Sequence, residues 1–483
     1  MVESTRTAPT AATAAEVPSV REASGDLTVV DPRDGTLVGR LPAATAADVD
    51  AALDRARRAR AQWARTPAAE RGAALRTIAR VLRDNEENLA RLNSRETGRP
   101  LAEAREGVEA GAGTLEQYAE IGPLHRGRSL VGDWSATDVM VAEPRGVVVA
   151  LTPWNDPVAV SCGLVGAALA TGNTVVYKAS ERAPHTGALF AEIVAAGLPQ
   201  GVLTGLTGGG EVGVALAEDP RADVVAHVGS TAAGASIRAA TARTGAKALL
   251  ENGGNDPLVV DADVDPVWAA EQAALGSFAN SGQICTSVER IYVHRAVADR
   301  FVEALVEQAA RRVPESAAAG EIAMGPLVDR RHREAVHAHV EQAVQAGATC
   351  LIGGEMPGGL SAYYPATVLT GCTDGMAVMR EETFGPVAPV QVVDGFDQGL
   401  AEAVRDRYGL AATVLTASME HAQRACRELP VGTVKVNAVF GGAPGGAAQP
   451  RGASGQGFGY GPELMDEMTT VKVLHMGLPK QLG

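Results

Sequence analysis

The chain has 483 residues, with 43 Lys and Arg against 57 Asp and Glu, a formal net charge of -14. That length predicts two or three domains at roughly 150 residues each, large enough to bury substantial cores. An acidic chain with no basic stripe excludes nucleic acid and anionic membrane as expected partners, and no apolar run reaches about 18 residues free of charges and turn signals, so no membrane span is expected.

Apolar residues make up 46% and glycines number 55, a profile that suits an α/β enzyme with many tight turns. The five cysteines, Cys162, Cys285, Cys350, Cys372 and Cys426, are odd in number and widely spaced, with no Cys-x-x-Cys. Neither a disulfide framework nor a metal site is indicated, and a reducing cytoplasm is the expected setting.

In chain order, residues 1–22 are rich in Ala, Thr and Ser and lack a basic flank before an apolar core. They predict a mobile tail and not a signal peptide. Thr45 to Asn93 predicts two helices, with Thr45 as N-cap of the first, Asp48 three residues later, and apolar residues at three- and four-residue spacing from Ala73 to Leu92. Leu124 to Glu143 breaks that period around Gly132-Asp133 and predicts an exposed hairpin.

From Gly146 the rhythm is strand, turn, helix. Gly146–Leu151, Asn173–Lys178, Asp223–Val228 and Lys247–Leu250 predict buried strands, with helices over Ala159–Ala170 and His185–Ala196. This alternation predicts a doubly wound parallel sheet. A second α/β cycle begins near Asp256, with helices over Val267–Ala279 and Ala296–Arg311 and strands at Arg290–Val293, Ala412–Leu415 and Gly432–Val436. A Gly, Ala and Pro-rich loop spans Gly441 to Ser454, Thr470–Leu474 predicts an edge strand, and no repeat of fixed period is present.

Several segments carry chemistry. Cys285 lies among small and polar residues in Asn280-Ser281-Gly282-Gln283-Ile284-Cys285-Thr286-Ser287, and Glu251 precedes it by 34 positions on the turn Leu250-Glu251-Asn252-Gly253-Gly254. A thiol with an acid on a separate glycine-rich turn is how a chain builds a covalent nucleophile with its own base; a buried inert cysteine is the plainer alternative. Thr152-Pro153-Trp154-Asn155 ends the first strand, where open α/β sheets bind ligands. Asn155 there either donates to an oxyanion or caps the next helix. Lys178-Ala179-Ser180-Glu181 ends the next strand; its cation and carboxylate either hold an adenosine ribose or form an exposed ion pair. A carboxylate at that place favours NAD over NADP by repelling a 2′-phosphate. Gly208-Gly209-Gly210-Glu211-Val212-Gly213 and Gly229-Ser230-Thr231-Ala232-Ala233-Gly234 are glycine-rich turns suited to a pyrophosphate or simply tight, and Glu382-Thr383-Phe384-Gly385-Pro386 follows a further acid, Glu381.

Taken in order, Pro153-Trp154-Asn155, Lys178 to Glu181, Gly229-Ser230-Thr231, Glu251 with Gly253-Gly254, Gly282-Gln283-x-Cys285 and Glu382-x-Phe384-Gly385-Pro386 closely resemble the aldehyde dehydrogenase superfamily. The resemblance implies an α/β subunit in three parts. A Rossmann-type nicotinamide-binding domain covers residues 23–123 and 145–253, an α/β catalytic domain 254–455, and a small β oligomerisation flap 124–144 and 468–480. It implies a homodimer or homotetramer, and NAD, with NADP possible, as cofactor. It also implies oxidation of an aldehyde to a carboxylic acid through a thiohemiacetal and a thioester on Cys285. In that scheme the thiol pKa is lowered locally, Asn155 and the Cys285 backbone N–H hold the oxyanion, and Glu251 is the base. Thr152, Pro153, Trp154, Lys178, Ser180, Glu181, Gly210, Gly229, Ser230, Glu382 and Phe384 meet the cofactor. A CoA-acylating semialdehyde dehydrogenase is the competing enzyme, disfavoured by the presence of Glu251, and a non-catalytic family member is the competing class, disfavoured by intact Cys285, Glu251 and Asn155.

The chain departs from the family pattern at Asn252, where Leu is usual, and at His227 and Val228, where Phe and Thr are usual. Asp156 and Gly163 stand where aromatic residues commonly line the aldehyde tunnel, and Arg451 stands where Phe is common. With Ile284 these are the candidate substrate residues, and the charges at usually apolar places imply a polar or charged substrate; a cap for the helix after Pro157 is the alternative role for Asp156.

Overall fold

A computed structural model describes residues 25–314, 322–441 and 446–479. The predicted tail at 1–22, residue 480 of the flap and part of the glycine-rich loop lie outside those ranges.

The first α/β unit is built on a six-stranded sheet in the order Gly455–Gln456, Lys247–Glu251, Val224–Val228, Val147–Leu151, Thr174–Lys178, Leu203–Leu206. All neighbours are parallel except the first pair. Val147–Leu151 and Thr174–Lys178 are buried at every position, because helices cover both faces and the β-branched run can be apolar throughout. The register sets Leu151 level with Lys178 and His227, and Val228 level with Glu251. The carboxyl ends of four strands therefore open onto one edge. Chain direction across the sheet reverses between Val147–Leu151 and Val224–Val228, and ligands bind at such a switch point.

The second unit holds a seven-stranded sheet in the order Thr349–Ile352, Thr367–Thr370, Val387–Val393, Val288–His294, Asp256–Val260, Ala411–Leu415, Thr433–Val436, parallel except for its first pair. Thr137–Pro144 pairs antiparallel with both Arg128–Leu130 and Thr469–Met476 in a three-stranded flap, so the predicted hairpin and closing edge strand meet in one sheet.

One expectation needs correction. Thr45 to Asn93 forms parts of three helices, Ala46–Arg65, Ala68–Asp84 and Glu86–Thr97, because the chain turns at Asn85, whose side-chain amide donates back to the Val81 carbonyl at 2.8 Å. The capping box at Thr45 and Asp48 is present. A further helix, Leu101–Ile121, went unassigned in the sequence; it carries Gly107, Gly111 and Gly113, each costing a helix interior about 1 kcal/mol relative to Ala. Their value is close approach: the Cys162 sulfur sits 2.9 Å from where a Cβ of Gly111 would stand, which lets this helix press against Pro157–Ala170. Gly455 pairs with Glu251 in the first sheet, and Leu464 and Met465 beyond it pack into the first unit's core, so the chain returns to the first unit beside Glu251.

Candidate active site

The switch point opens into a cleft of about 570 Å³ lined by Thr152, Pro153, Trp154, Lys178, Ser180, Glu181, Gly210, Gly229 and Ser230. Nine of the sequence-predicted cofactor residues thus share one wall. The strand register brings them there, since Thr152 and Lys178 end adjacent strands and Gly229 and Ser230 follow the next. Ser230 is N-cap of the helix Thr231–Thr244, accepting from the Ala233 N–H, so free N–H groups and the helix dipole face the cleft as a phosphate requires. Lys178 Nζ lies 3.8 Å from Glu181 and donates to the Ala179 carbonyl at 2.9 Å. Burial lowers the lysine pKa against the pull of Glu181 and Glu211.

The other two predicted cofactor residues, Glu382 and Phe384, are not among the residues lining this cleft, though Phe384 packs against its residues Trp154 and His332. Phe384, at φ +52, stacks edge-on to Trp154 with centroids 5.5 Å apart. Buried Glu289 holds that turn, accepting from the Thr383 and Phe384 N–H groups at 3.1 and 3.0 Å. Glu382 accepts from the Gly254 N–H at 3.1 Å, and a Cβ on Gly253 would collide with its carboxylate. Sequence reasoning missed Arg182 and His332 in this region. Arg182 stacks over Trp154 at 5.5 Å, and His332 lines the cleft and contacts the Phe384 carbonyl at 2.7 Å. Burial drops the His332 pKa to about 4, so it is neutral at pH 7.

Cys285 rides on a left-handed turn, with φ +45 at Asn280, +57 at Ser281 and +74 at Gly282. Non-glycine residues adopt this conformation only where the surroundings hold them. Here Ser281 Oγ donates to the Gly325 carbonyl at 2.6 Å, and Gln283 Oε1 accepts from the Val328 N–H at 2.9 Å. A Cβ at Gly282 would strike the Gly385 backbone, which makes glycine obligatory there. Asn155 Nδ2 donates to the Gln283 carbonyl at 3.1 Å, placing its amide against the nucleophile loop.

Glu251 is half-buried and accepts from the Gly459 N–H at 3.0 Å. A Cβ at Gly459 would collide with that carboxyl. Burial pushes the Glu251 pKa up to about 7, partly offset by the Gly459 bond. A carboxyl poised there suits a general base at neutral pH. Burial likewise pushes Glu382 up to about 7.

The expected lowering of the thiol pKa is not found. Cys285 presents surface to solvent, yet protein atoms surround its sulfur, and burial together with the charges of Glu251, Asp256 and Glu382 pushes the thiol up to about 12. Lys435 is the cation that opposes them. At neutral pH Cys285 is therefore a thiol.

The candidate substrate residues divide. Asp156 is N-cap of Pro157–Ala170 but makes no side-chain cap bond; its carboxylate pairs with Arg99 at 3.0 Å. Gly163 is buried, with Tyr460 passing 3.8 Å from where its Cβ would stand. Ile284 is half-buried beside the nucleophile. Arg451 is exposed in a two-residue strand paired with Tyr408–Gly409. No cluster of potential metal ligands occurs among the described residues.

A dinucleotide cleft at the switch point, with a cysteine on a rigid turn and a perturbed carboxyl beside it, defines a nicotinamide-dependent oxidoreductase working through a covalent sulfur intermediate. The sequence profile of the aldehyde dehydrogenase family matches residues 20–474. Similar solved structures include lactaldehyde dehydrogenase from Escherichia coli, at 33% identity over 93% of this chain and 95% of that one with a TM-score of 0.90. An NAD-dependent aldehyde dehydrogenase from Sinorhizobium meliloti matches at 33% identity over 96% and 94%, TM-score 0.90. Betaine aldehyde dehydrogenase from Staphylococcus aureus in complex with NAD+ matches at 28% over 95% and 92%, TM-score 0.90. The chain belongs to the aldehyde dehydrogenase family. Its activity is the NAD(P)-dependent oxidation of an aldehyde to a carboxylic acid.

Proposed function

We propose that Cys285, Glu251 and Asn155 carry this reaction. Cys285 Sγ attacks the aldehyde carbon while its proton passes to Glu251 and on to solvent. The Asn155 amide and the Cys285 backbone N–H stabilise the oxyanion of the thiohemiacetal. NAD, when bound, supplies the hydride acceptor. The thioester left on Cys285 is hydrolysed by water that Glu251 deprotonates. The observation that carries this reading is the Glu251 carboxyl, held by Gly459 and shifted to about 7 beside the cysteine. Lys178 and Glu181 suit the adenosine ribose, Gly210, Gly229 and Ser230 the pyrophosphate, and Glu382 the nicotinamide ribose; the cleft's helix N-terminus and glycines fit such a ligand.

The substrate class we infer is a polar aldehyde. Asp156, next to Asn155 in the chain, carries a charge paired with Arg99, and a Cβ at Gly163 would stand 3.8 Å from the Tyr460 ring, whose hydroxyl lies 3.5 Å from Thr114 Oγ1. Absorbance of reduced nicotinamide with aliphatic, aromatic, carboxylated and amino-bearing aldehydes tests this. Fastest turnover on an unsubstituted aliphatic member would sink the polar reading.

Glu181→Ala is expected to raise the KM for NAD about 10-fold and to shrink the preference for NAD over NADP, because the carboxylate both accepts from the ribose and repels a 2′-phosphate. Initial rates with each cofactor measure it, and an unchanged ratio would remove Glu181 from cofactor selection.

We also infer a homo-oligomer assembled through the flap, and a cytoplasmic setting consistent with five free cysteines. No helix among the described residues is long and apolar enough to cross a membrane. Val131 and Trp134 are fully exposed on the flap, and Val471, Val473 and Met476 are more than half exposed on its edge strand. Apolar residues so arranged mark an interface. Replacing Val471 and Val473 together with Asp is expected to lower the mass measured by light scattering to that of one chain; an unchanged mass would place the interface elsewhere.

A further inference from the structure

We infer that Arg99 is a positioning residue for the oxyanion donor, acting on Asn155 through its backbone. This inference rests on the reading of Asn155 as that donor. Arg99 stands between the helices Glu86–Thr97 and Leu101–Ile121, with Gly98 at φ +80 before it and Pro100 after it. Both neighbours restrict the backbone, and only 14% of the side chain is exposed. Its Nη1 donates to the Asn155 carbonyl at 2.8 Å and lies 3.0 Å from Asp156 Oδ2. One guanidinium thus grips two successive residues, the second of them the first residue before a helix.

The grip closes a ring of contacts. Asn155 Nδ2 reaches the Gln283 carbonyl at 3.1 Å, and Gln283 Nε2 reaches the Pro326 carbonyl at 3.4 Å. Pro326 in turn is wedged against the turn that carries Arg99, since a Cβ on Gly98 would approach Pro326 Cγ to 2.5 Å. Ser281 of the nucleophile turn donates to Gly325 beside it. Arg99, Asn155, the nucleophile loop and the Gly325-Pro326 segment therefore fix one another. A carboxylate at 156 belongs to this device. Its residue has φ -143 and ψ 70 and makes no cap bond, so the side chain is free to face Arg99, and Gly107 leaves room for it, with Asp156 Oδ1 2.7 Å from where a Cβ would stand.

A donor aimed at a developing oxyanion works only if it is held before the reaction begins. Misplacement by about 1 Å can cost about 100-fold. Arginine suits the task because Nη1 carries two N–H groups on an always-charged head, so one nitrogen serves a carbonyl and a carboxylate together.

The test compares wild type, Arg99→Met, Asn155→Ala and the double variant, with Arg99→Lys and Asp156→Asn alongside. Aldehyde oxidation, the KM for NAD, alkylation of Cys285 by iodoacetamide and thermal unfolding are measured for each. Alkylation needs the sulfur but no oxyanion donor. Arg99→Met is expected to lower kcat by about 10- to 100-fold, with the KM for NAD and the alkylation rate within about twofold of wild type. In the Asn155→Ala background the same substitution is expected to cost less than about twofold, because residues acting as one unit are not additive. Arg99→Lys should recover part of the loss, and Asp156→Asn, which leaves the bond to the Asn155 carbonyl in place, should cost less than Arg99→Met. An unchanged kcat in Arg99→Met, an equal loss in both backgrounds, or a parallel fall in alkylation would overturn the inference. An Asn155→Ala variant with undiminished kcat would instead overturn the oxyanion reading on which it stands.

Discussion

Cys285→Ala is expected to abolish cofactor reduction with every aldehyde, a fall of more than about 10⁴-fold. No other described cysteine can substitute. Cys162 and Cys372 are buried in apolar clusters, and Cys350 and Cys426 lie on other elements, the strand Thr349–Ile352 and the helix Met419–Glu428. The variant should still bind NAD, since the cleft is lined without Cys285, and quenching of Trp154 fluorescence would report it. Retained turnover would remove the covalent mechanism. The chemistry of the free thiol adds a sharper expectation. With its pKa pushed up to about 12, wild-type Cys285 should alkylate slowly at pH 7 without cofactor, and the rate should rise tenfold per pH unit through pH 9 because only the thiolate reacts. A plateau near pH 7 would show that burial and the neighbouring carboxylates do not hold the thiol pKa up.

Glu251→Gln is expected to separate the two halves of the reaction. Hydrolysis of the thioester needs a base, and removing one typically costs about 10²–10⁴-fold. The first turnover needs less from Glu251, since Cys285 and the oxyanion donors remain. Rapid mixing should show a burst of one reduced cofactor per active site followed by a slow steady state; loss of the burst and the steady state in equal measure would assign Glu251 chiefly to the thiol proton. The pH profile has a definite sign. Only the ionised carboxyl accepts a proton, and its pKa lies at about 7, so wild-type steady-state turnover should fall tenfold per unit below that pH. Glu251→Gln should lack that limb. Gly459→Ala should lower activity as well, because the added methyl would displace the carboxyl from its backbone donor.

Much of this arrangement is legible in the chain. The apolar runs at 147–151 and 174–178, fenced by glycine and proline, mark buried parallel strands through the match of β-branched residues to a sheet covered on both faces. Thr45 with Asp48 marks a helix start because a capping box is local. The cleft-lining residues follow from the same logic, each lying just past a strand end. Local signals fail where the structure uses close approach. Gly107 and Gly111 disfavour a helix locally, yet their missing side chains admit Asp156 and Cys162. The break at Asn85 is hidden in a continuous helical period.

By itself, then, the sequence determined the α/β class, the two sheet-forming halves and the strand ends that line the cleft, since each rests on hydrogen-bonding and burial patterns that repeat within a few residues, while the roles proposed for Cys285 and Glu251 came from the resemblance of the ordered motifs to a family. The tertiary structure alone decided the rest: that Asp156 faces Arg99, that Gly459 holds Glu251 from 208 positions away, and that burial, with the charges of Glu251, Asp256 and Glu382, raises the Cys285 thiol pKa. Those are interactions through space between segments far apart in the chain, and their strength depends on distance and on exclusion of water, neither of which is written in residue order.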